Sequence, residues 1–157
     1  MAANPALLHP LLRRLNEADL DRVMELELSA YPYPWTRGIF SDCLRVGYDC
    51  WGLQAEHELI GYCIQTHAAG ESHLLNLCIG PEWHGQGLGT LLLEHAIRRA
   101  GAEDCHCLLL EVRPSNTAGM RLYRKYGFYL VGRRPEYYRS AQGREEAIVM
   151  RFDIGGI

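Results

Sequence analysis

The spacing of apolar and polar positions along the chain predicts strands and helices in a mixed order. Apolar runs or alternations of strand length occupy seven stretches: 11–15, 48–55, 59–67, 72–79, 105–112, 128–133 and 147–152. Helical spacing of apolar residues occupies four others: 17–30, 37–46, 88–99 and 117–126. Residues 1–10 follow neither pattern and are expected to be loosely ordered, and the polar stretch 135–146 is expected to be a loop. The pattern indicates an α/β (α+β) protein.

Residues at the ends of the predicted helices support these boundaries. Asn16, Thr36 and Asn116 each precede a helical stretch, where a short polar side chain accepts a hydrogen bond from a backbone N–H of the first turn. Gly127 follows the last helix, and a left-handed helix end favours glycine. No repeat, low-complexity segment or linker interrupts the sequence. The chain is therefore expected to form one domain over residues 1–157, with an ordered core of about 11–153.

A glycine turn, residues 84–89, follows the apolar strand 72–79 and leads into a helix. Backbone N–H groups of a helix's first turn lack intrahelical partners, and Gly85, Gly87 and Gly89 let a bulky anion approach them closely. A phosphate or pyrophosphate is the expected ligand. The dinucleotide pattern G-x-G-x-x-G fails at its third glycine, where Thr90 stands. The acyltransferase pattern Q/R-x-x-G-x-G/A matches at both glycines and departs at its first position, His84.

Composition and charge narrow the classes of partner. The chain has 157 residues, 48% hydrophobic and 22% charged, with a net charge of −3 and a pI of about 6.1. A domain that binds nucleic acid through bulk charge is usually basic, so no direct nucleic-acid contact is expected. No apolar run approaches the roughly 20 residues that span a bilayer. The N-terminal residues carry no secretory-signal pattern, and a cytoplasmic location is expected.

The six cysteines show no C-x-x-C pair, and most lie within apolar patterns, where a thiol behaves as a small hydrophobic group. Cys105, His106 and Cys107 are consecutive, which suggests a zinc fragment. Alternation along a strand places the two thiols on one face and the imidazole on the other, which is unfavourable for a shared metal. No metal site is expected.

A second motif joins the glycine turn. Asn116 with Leu122-Tyr123-x-x-x-Gly127-Phe128 resembles the second signature of the GNAT (GCN5-related) N-acetyltransferases, and the element order is similar to theirs. The resemblance implies the GNAT acyltransferase fold, a central mixed, mostly antiparallel sheet flanked by helices. Finer segments resemble the RimI group, which acetylates the N-terminal alanine of the eighteenth small-subunit ribosomal protein. Over about 12–152 these are Pro34-Trp35, Leu110-Glu111-Val112-Arg113-x-Ser115-Asn116, Arg133-Arg134-x-x-Tyr137-Tyr138 and Gly143-Arg144-Glu145-x-Ala147-x-x-Met150.

The resemblance implies acetyl-CoA as co-substrate and a peptide N-terminus of a ribosomal protein as acceptor, with a monomer or weak homodimer as the assembly. Glu111 would be the general base, and Tyr123 the acid that protonates the departing thiolate. The residues that would contact acetyl-CoA are Leu77, Cys78, Ile79, Gly85, Gln86, Gly87, Leu88, Gly89, Thr90 and Asn116.

The acceptor side is expected to use aromatic residues. Residues 31–35 hold two prolines and three aromatics, a composition that excludes helix and central strand. This aromatic segment is either a rigid turn that completes the core or a wall for the peptide, formed by Tyr33 and Trp35. Tyr137 and Tyr138 are expected to line the same groove. The arginines near them belong either to the site or to a solvated face.

Several alternatives stay open. Glu71 and His73 are rival bases, and Glu111 in an apolar strand is otherwise explained by a structural ion pair with an arginine. The favoured activity is N-terminal α-amine acetylation. The other possibilities are acetylation of another peptide, a lysine or a small amine, a non-catalytic acyl-CoA-binding module, and a dinucleotide-binding domain.

Overall fold

The computed structural model describes residues 9–155, so the expectation of loose order for residues 1–8 lies outside the described part. Four helices and seven strands follow one another there. In chain order they are β1 Leu11–Arg14, α1 Leu20–Ala30, α2 Arg37–Arg45, β2 Asp49–Ala55, β3 Glu58–Ala68, β4 Glu71–Ile79, α3 Leu88–Ala102, β5 Cys107–Val112, α4 Thr117–Tyr126, β6 Tyr129–Ser140 and β7 Gly143–Asp153.

The strands form one seven-stranded sheet in the order β1-β2-β3-β4-β5-β7-β6. β4 and β5 are parallel, with Glu71 opposite Cys107 and Leu74 opposite Leu110. The β1–β2, β2–β3, β5–β7 and β6–β7 pairs are antiparallel. The prediction of a mixed, mostly antiparallel sheet with helices is confirmed.

The contacts between residues divide the described chain into two compact units. One holds the described residues through Gln65 together with Asn76–Glu94, and the other holds Thr66–Leu75 with His95 onward. The assignment of the chain to one domain stays a prediction.

In the first unit, α1 and α2 bury their apolar faces in one core. Asn16 caps a 3-10 turn, Glu17–Asp19, and the Asp19 carboxylate in turn accepts a hydrogen bond from the Asn16 backbone N–H. Thr36 caps α2 by accepting from the Ile39 N–H, as its position predicted. The core includes Leu20, Val23, Leu26, Phe40, Cys43, Tyr62, Ile64 and Cys78.

In the second unit, β5 carries the core. Leu108, Leu110 and Val112 are buried, and β7 adds Ile148 and Met150. α4 begins at the predicted cap, Asn116, and ends at Gly127, which has a left-handed φ of +117°. These ends fix where α4 presents its buried Tyr123.

The prediction of a polar loop at 135–146 is wrong. β6 continues to Ser140 and β7 begins at Gly143, so the stretch is the outer end of a hairpin, with Tyr138 opposite Glu145. Charged side chains stand here in place of the alternating apolar residues that predict a strand. Arg133 and Glu146 form a 2.6 Å ion pair along the hairpin. The register shifts between Arg134 and Tyr138, and this irregularity accommodates Pro135.

Two smaller boundaries also differ. α3 extends past the predicted residue 99 to Ala102, and β5 begins at Cys107 rather than at residue 105. The β5 start differs by two residues, within the usual variation of element ends, whereas α3 continues three residues further; neither difference changes the order of the elements.

Gly127→Ala is expected to lower the free energy of unfolding by about 1 kcal/mol or more, because alanine resists a left-handed φ. The Gly127 N–H also closes α4 on the carbonyls of Tyr123 and Arg124. Urea denaturation followed by circular dichroism measures the change. Gly132→Ala is the control, since nothing lies within 4 Å of its Cβ position and its φ is not left-handed. Equal midpoints for the two variants would contradict the prediction.

Candidate active site

The glycine turn connects β4 to α3 in the first unit. Gly85 and Gly87 have left-handed φ values of +79° and +78°, and no heavy atom lies within 4 Å of a Cβ built on either. Leu88, Gly89 and Thr90 form the first turn of α3. The turn therefore presents open backbone at a helix N-terminus, where the helix dipole and free N–H groups favour an anion.

Two buried polar atoms at this turn make no hydrogen bond among the residues that the structure describes. They are Trp83 Nε1 and the Gln86 side-chain oxygen. Buried polar groups are normally paired, so unpaired ones indicate room for a ligand. The Trp83 indole N–H can donate to the phosphate of a coenzyme, whereas the Gln86 oxygen can only accept a hydrogen bond from a donor.

His84, the residue that departs from the acyltransferase pattern, contacts the backbone of β4. Its Nε2 lies 2.7 Å from the Ile79 carbonyl oxygen. A carbonyl only accepts, so Nε2 carries the hydrogen. The ring ties the start of the glycine turn to the end of β4.

Leu77, Cys78 and Ile79 end β4. The Cys78 side chain is buried, and burial raises the pKa of its thiol to about 12. The Leu77 carbonyl accepts from the Tyr31 hydroxyl, and the Ile79 carbonyl accepts from His84. The side chain of Cys78 is thus part of the core, as expected if these residues serve through their backbones.

The aromatic segment has one ring in the core and one at the surface, and its role as a wall for the peptide stays a prediction. The Trp35 ring lies 5.2 Å from that of Phe40, and Trp35 packs against the core. Tyr33 is exposed. Trp35 thus completes the core while Tyr33 stays accessible.

In the second unit, Glu111 lies on β5 with a carboxylate that is 24% exposed and 3.3 Å from Arg134 Nη2. The ion pair that sequence analysis offered as a structural explanation is present. The Arg134 side chain is itself 56% exposed, and such exposed pairs contribute little to stability. Glu111 therefore stays accessible to a ligand.

Two tyrosines lie close to Glu111, and a third, Tyr123, lies close to one of them. Burial, then the Glu111 charge, raises the pKa of Tyr137, whose hydroxyl also hydrogen-bonds Glu111. Burial, then the Glu111 charge, raises the pKa of Tyr138, and the proximity of Tyr123 raises it further. Burial raises the pKa of Tyr123 to about 12. Of the residues predicted from the sequence, the structure thus places Tyr137 and Tyr138 beside Glu111, and Tyr123 beside Tyr138.

Asn116, expected to contact the coenzyme, caps α4. Its Oδ1 accepts from the Gly119 N–H at 3.0 Å. A Cβ at Gly119 would come within 2.6 Å of Asn116 Nδ2, so the glycine lets the amide lie flat on the helix end. The Asn116 oxygen is used by the cap.

An ion-pair cluster beside these tyrosines escaped the sequence analysis. Arg113 stacks on Tyr138 at 4.5 Å and binds Glu145 at 2.9 Å. Glu145 also accepts from Ser115 Oγ at 2.7 Å. Although burial opposes it, these hydrogen bonds from Ser115 and Arg113 lower the pKa of Glu145. The cluster fixes the segment after β5 to the hairpin, and only the long-range pairing of β6 with β7 reveals it.

Glu71, the rival base, lies elsewhere on the strand pair. It is opposite Cys107, four positions before Glu111 on β5, which corresponds to about 13 Å. Ligand atoms of Glu71, His106 and Cys107 lie within 4.8 Å of one another. Burial raises the pKa of the Cys107 thiol, so the protonated form, a poor metal ligand, is favoured. The expectation of no metal stays a prediction.

Gly87→Ala is expected to weaken acetyl-CoA binding about tenfold, which corresponds to about 1.4 kcal/mol. Space at Gly87 is open, so the loss would come from the left-handed backbone rather than from a clash. Isothermal titration calorimetry measures it. Gly143→Ala is the control, because Gly143 has a φ of +114° and equally open space but lies in the β6–β7 turn. An unchanged affinity for Gly87→Ala would remove the turn from the coenzyme site.

Comparison with known proteins gives consistent matches. The profile of the acetyltransferase (GNAT) family matches residues 20–128. The [ribosomal protein bS18]-alanine N-acetyltransferase of Salmonella typhimurium is 34% identical over 140 residues, 89% of this chain and 95% of that protein. The Haemophilus influenzae protein of the same name is 34% identical over 141 residues, 89% of this chain and 96% of its own.

A solved structure agrees. The crystal structure of the ribosomal-protein-S18-alanine N-acetyltransferase from Escherichia coli superposes with a TM-score of 0.87 at 31% identity, over 95% of this chain and 96% of that one. The profile match covers more than half of the chain, and each of these relatives exceeds 30% identity over most of its length. The chain belongs to the GNAT acetyltransferase family.

Proposed function

We propose that this protein transfers the acetyl group of acetyl-CoA to the N-terminal α-amine of a ribosomal protein, with the N-terminal alanine of bS18 as the acceptor. The observation that carries the proposal is the accessible Glu111 carboxylate beside Tyr137 and Tyr138, with Tyr123 next to Tyr138. Relatives that bear this activity in their names are a third identical over nearly the whole chain, which supports the choice of acceptor.

Glu111 is the proposed general base. A peptide α-amine has a pKa of about 7.7–8.0, so a minority is neutral at pH 7, whereas a lysine near 10.4 is almost wholly charged. The carboxylate takes the proton of the attacking nitrogen directly or through a water molecule. The entering ammonium also competes with Arg134 for the same carboxylate, since both are cations.

Tyr123 is the proposed acid. Its pKa of about 12 keeps the hydroxyl protonated throughout the physiological range, so a proton is always present for the leaving thiolate. Tyr123 is held by its ring, which lies 5.7 Å from that of Phe128. This packing fixes the direction of the hydroxyl.

Acetyl-CoA supplies the thioester that the amine attacks. The glycine turn would hold the pyrophosphate with backbone N–H groups of residues 85–90, and the backbones of Leu77, Cys78 and Ile79 would hold the pantetheine arm. A backbone N–H near Ile79 would polarise the thioester carbonyl. Asn116 would contact the coenzyme through the amide nitrogen that the cap leaves available.

The acceptor peptide would bind along aromatic side chains. Tyr33 is exposed and Trp35 is half-buried beside it in the aromatic segment, while Tyr137 and Tyr138 form an edge-to-face pair at 5.0 Å. Large rigid rings provide contact area at a low cost in conformational entropy. This is the basis for preferring a peptide over a small amine.

We place the activity in the cytoplasm and expect a monomer or weak homodimer that makes no direct nucleic-acid contact. All six cysteines are free thiols, which suits a reducing compartment. Within residues 9–155, no helix is long and apolar enough to cross a membrane.

Turnover with a panel of hexapeptides tests the proposal. One peptide begins with the bS18 alanine, one with another small residue, and one has a blocked N-terminus and an internal lysine. Thiol release is expected with the alanine peptide and not with the blocked one, because a neutral α-amine is required. Release with the blocked peptide would indicate a lysine acetyltransferase, and silence on all three would indicate a small amine or a binding role.

Glu111→Gln is expected to lower kcat about a hundredfold while the Kd for acetyl-CoA stays nearly constant. The deficit should shrink above pH 8, because the peptide amine is then neutral without help. Steady-state rates from pH 6 to 9.5 and calorimetry measure both quantities.

Glu71→Gln is the matched control, since it lies on the same strand pair, and it is expected to keep the wild-type rate. Loss of turnover in Glu71→Gln with a normal Glu111→Gln would transfer the base to Glu71.

A further inference from the structure

Glu27 is a buried carboxylate that the proposed chemistry does not use. It lies on α1, only 2% exposed, in the core of the first unit. A carboxylate is costly to bury unless hydrogen bonds compensate for its lost hydration. Such a group is kept where its hydrogen bonds fix a particular arrangement.

Three donors surround the Glu27 carboxylate. Oε2 accepts from the Trp35 N–H at 2.9 Å, and Oε1 accepts from the Tyr62 hydroxyl at 2.5 Å and from Asn76 Nδ2 at 3.1 Å. Burial, above all, raises the pKa of Tyr62, so its hydroxyl keeps the hydrogen that it donates. The charge is therefore satisfied by neutral donors on three different parts of the chain.

Those parts carry the predicted ligand contacts. Trp35 belongs to the aromatic segment expected to bind the acceptor peptide, and Asn76 directly precedes Leu77, where the expected pantetheine contacts begin. Tyr62 lies on β3, with its ring edge-to-face on Phe40 at 5.6 Å. Phe40 in turn supports the Trp35 ring.

Hydrogen bonds of Tyr31 also connect the aromatic segment to α1 and to β4. The Tyr31 N–H donates to the Glu27 carbonyl at 3.1 Å, and the Tyr31 hydroxyl donates to the Leu77 carbonyl. The aromatic segment is thus attached at both of its ends, to α1 by the Glu27 backbone and side chain and to β4 through Tyr31. Two prolines between these attachments restrict the backbone further.

We propose that Glu27 is a positioning residue for the acceptor peptide: its carboxylate holds the aromatic segment in register with the Asn76–Leu77 stretch of β4. The inference rests on the proposed function, because it takes the aromatic segment as the peptide wall. Glutamine at position 27 would present an NH₂ group to at least one of the three donors, so the segment would lose part of its attachment.

Glu27→Gln is expected to raise the KM for the alanine peptide about tenfold, the scale of a lost hydrogen bond to a charged group. The kcat at saturating peptide and the Kd for acetyl-CoA should change less than about threefold, because neither Glu111 nor the glycine turn is altered. Exchange of the Trp35 amide hydrogen, followed by NMR, should accelerate about tenfold, because its acceptor is lost. This readout does not depend on catalysis.

Two further variants make the test specific. Glu25→Gln, on the same helix, removes an exposed carboxylate that pairs with Arg22 at 2.9 Å, and it should behave as wild type. Tyr62→Phe keeps the ring against Phe40 but removes one donor. It should shift the peptide KM and Trp35 exchange in the same direction by a smaller factor, and it replaces Glu27→Gln if that variant does not fold.

The outcomes separate the inference from the proposed function. Faster Trp35 exchange with an unchanged peptide KM would overturn the inference, because the segment would then be free to move without affecting the acceptor. Equal losses of peptide and acetyl-CoA binding, with a lower melting temperature, would also overturn it and assign Glu27 to the fold alone. Wild-type enzyme silent on every peptide would instead remove the proposed function.

Discussion

A single pair of parallel strands determines how this chain is organised. β4 and β5 run in the same direction, and parallel neighbours need a crossover rather than a hairpin. α3 is that crossover, and it begins directly after the glycine turn. The same connection that satisfies the sheet therefore places a helix N-terminus, with its free N–H groups, at the end of a buried strand.

Polar residues are used differently in the two units. In the first, the Glu27 charge is buried and balanced by neutral donors from rigid elements. In the second, Glu111 stays partly exposed, with Arg134 and Tyr137 close to it and the Arg113–Glu145 pair behind. A buried, fully bonded carboxylate suits a fixed scaffold, whereas an accessible one suits exchange of protons and partners.

Much of this arrangement follows from local sequence. Asn16, Thr36 and Asn116 cap helices as their side chains predict, and Gly127 ends one, because these effects depend on a few neighbouring residues. The outer end of the β6–β7 hairpin could not be predicted in this way, because its strands carry charged side chains and pair with an irregular register around Pro135. The Glu27 contacts span 8, 35 and 49 positions along the chain, so no local pattern encodes them. Glu111, Tyr123 and Tyr138 were all predicted through family motifs, whereas the proximity of Tyr138 to the other two is seen only in the folded structure.

The two edge strands of the sheet, β1 and β6, affect how readily the protein aggregates. An edge strand exposes unpaired N–H and C=O groups to which another chain can add, the first step of aggregation. β1 offers only four residues for such addition. β6 is longer, but Pro135 lacks an N–H, Glu136 has a left-handed φ of +51°, and arginines flank both. The irregular hairpin beside Glu111 therefore also protects the sheet against open-ended growth into fibres.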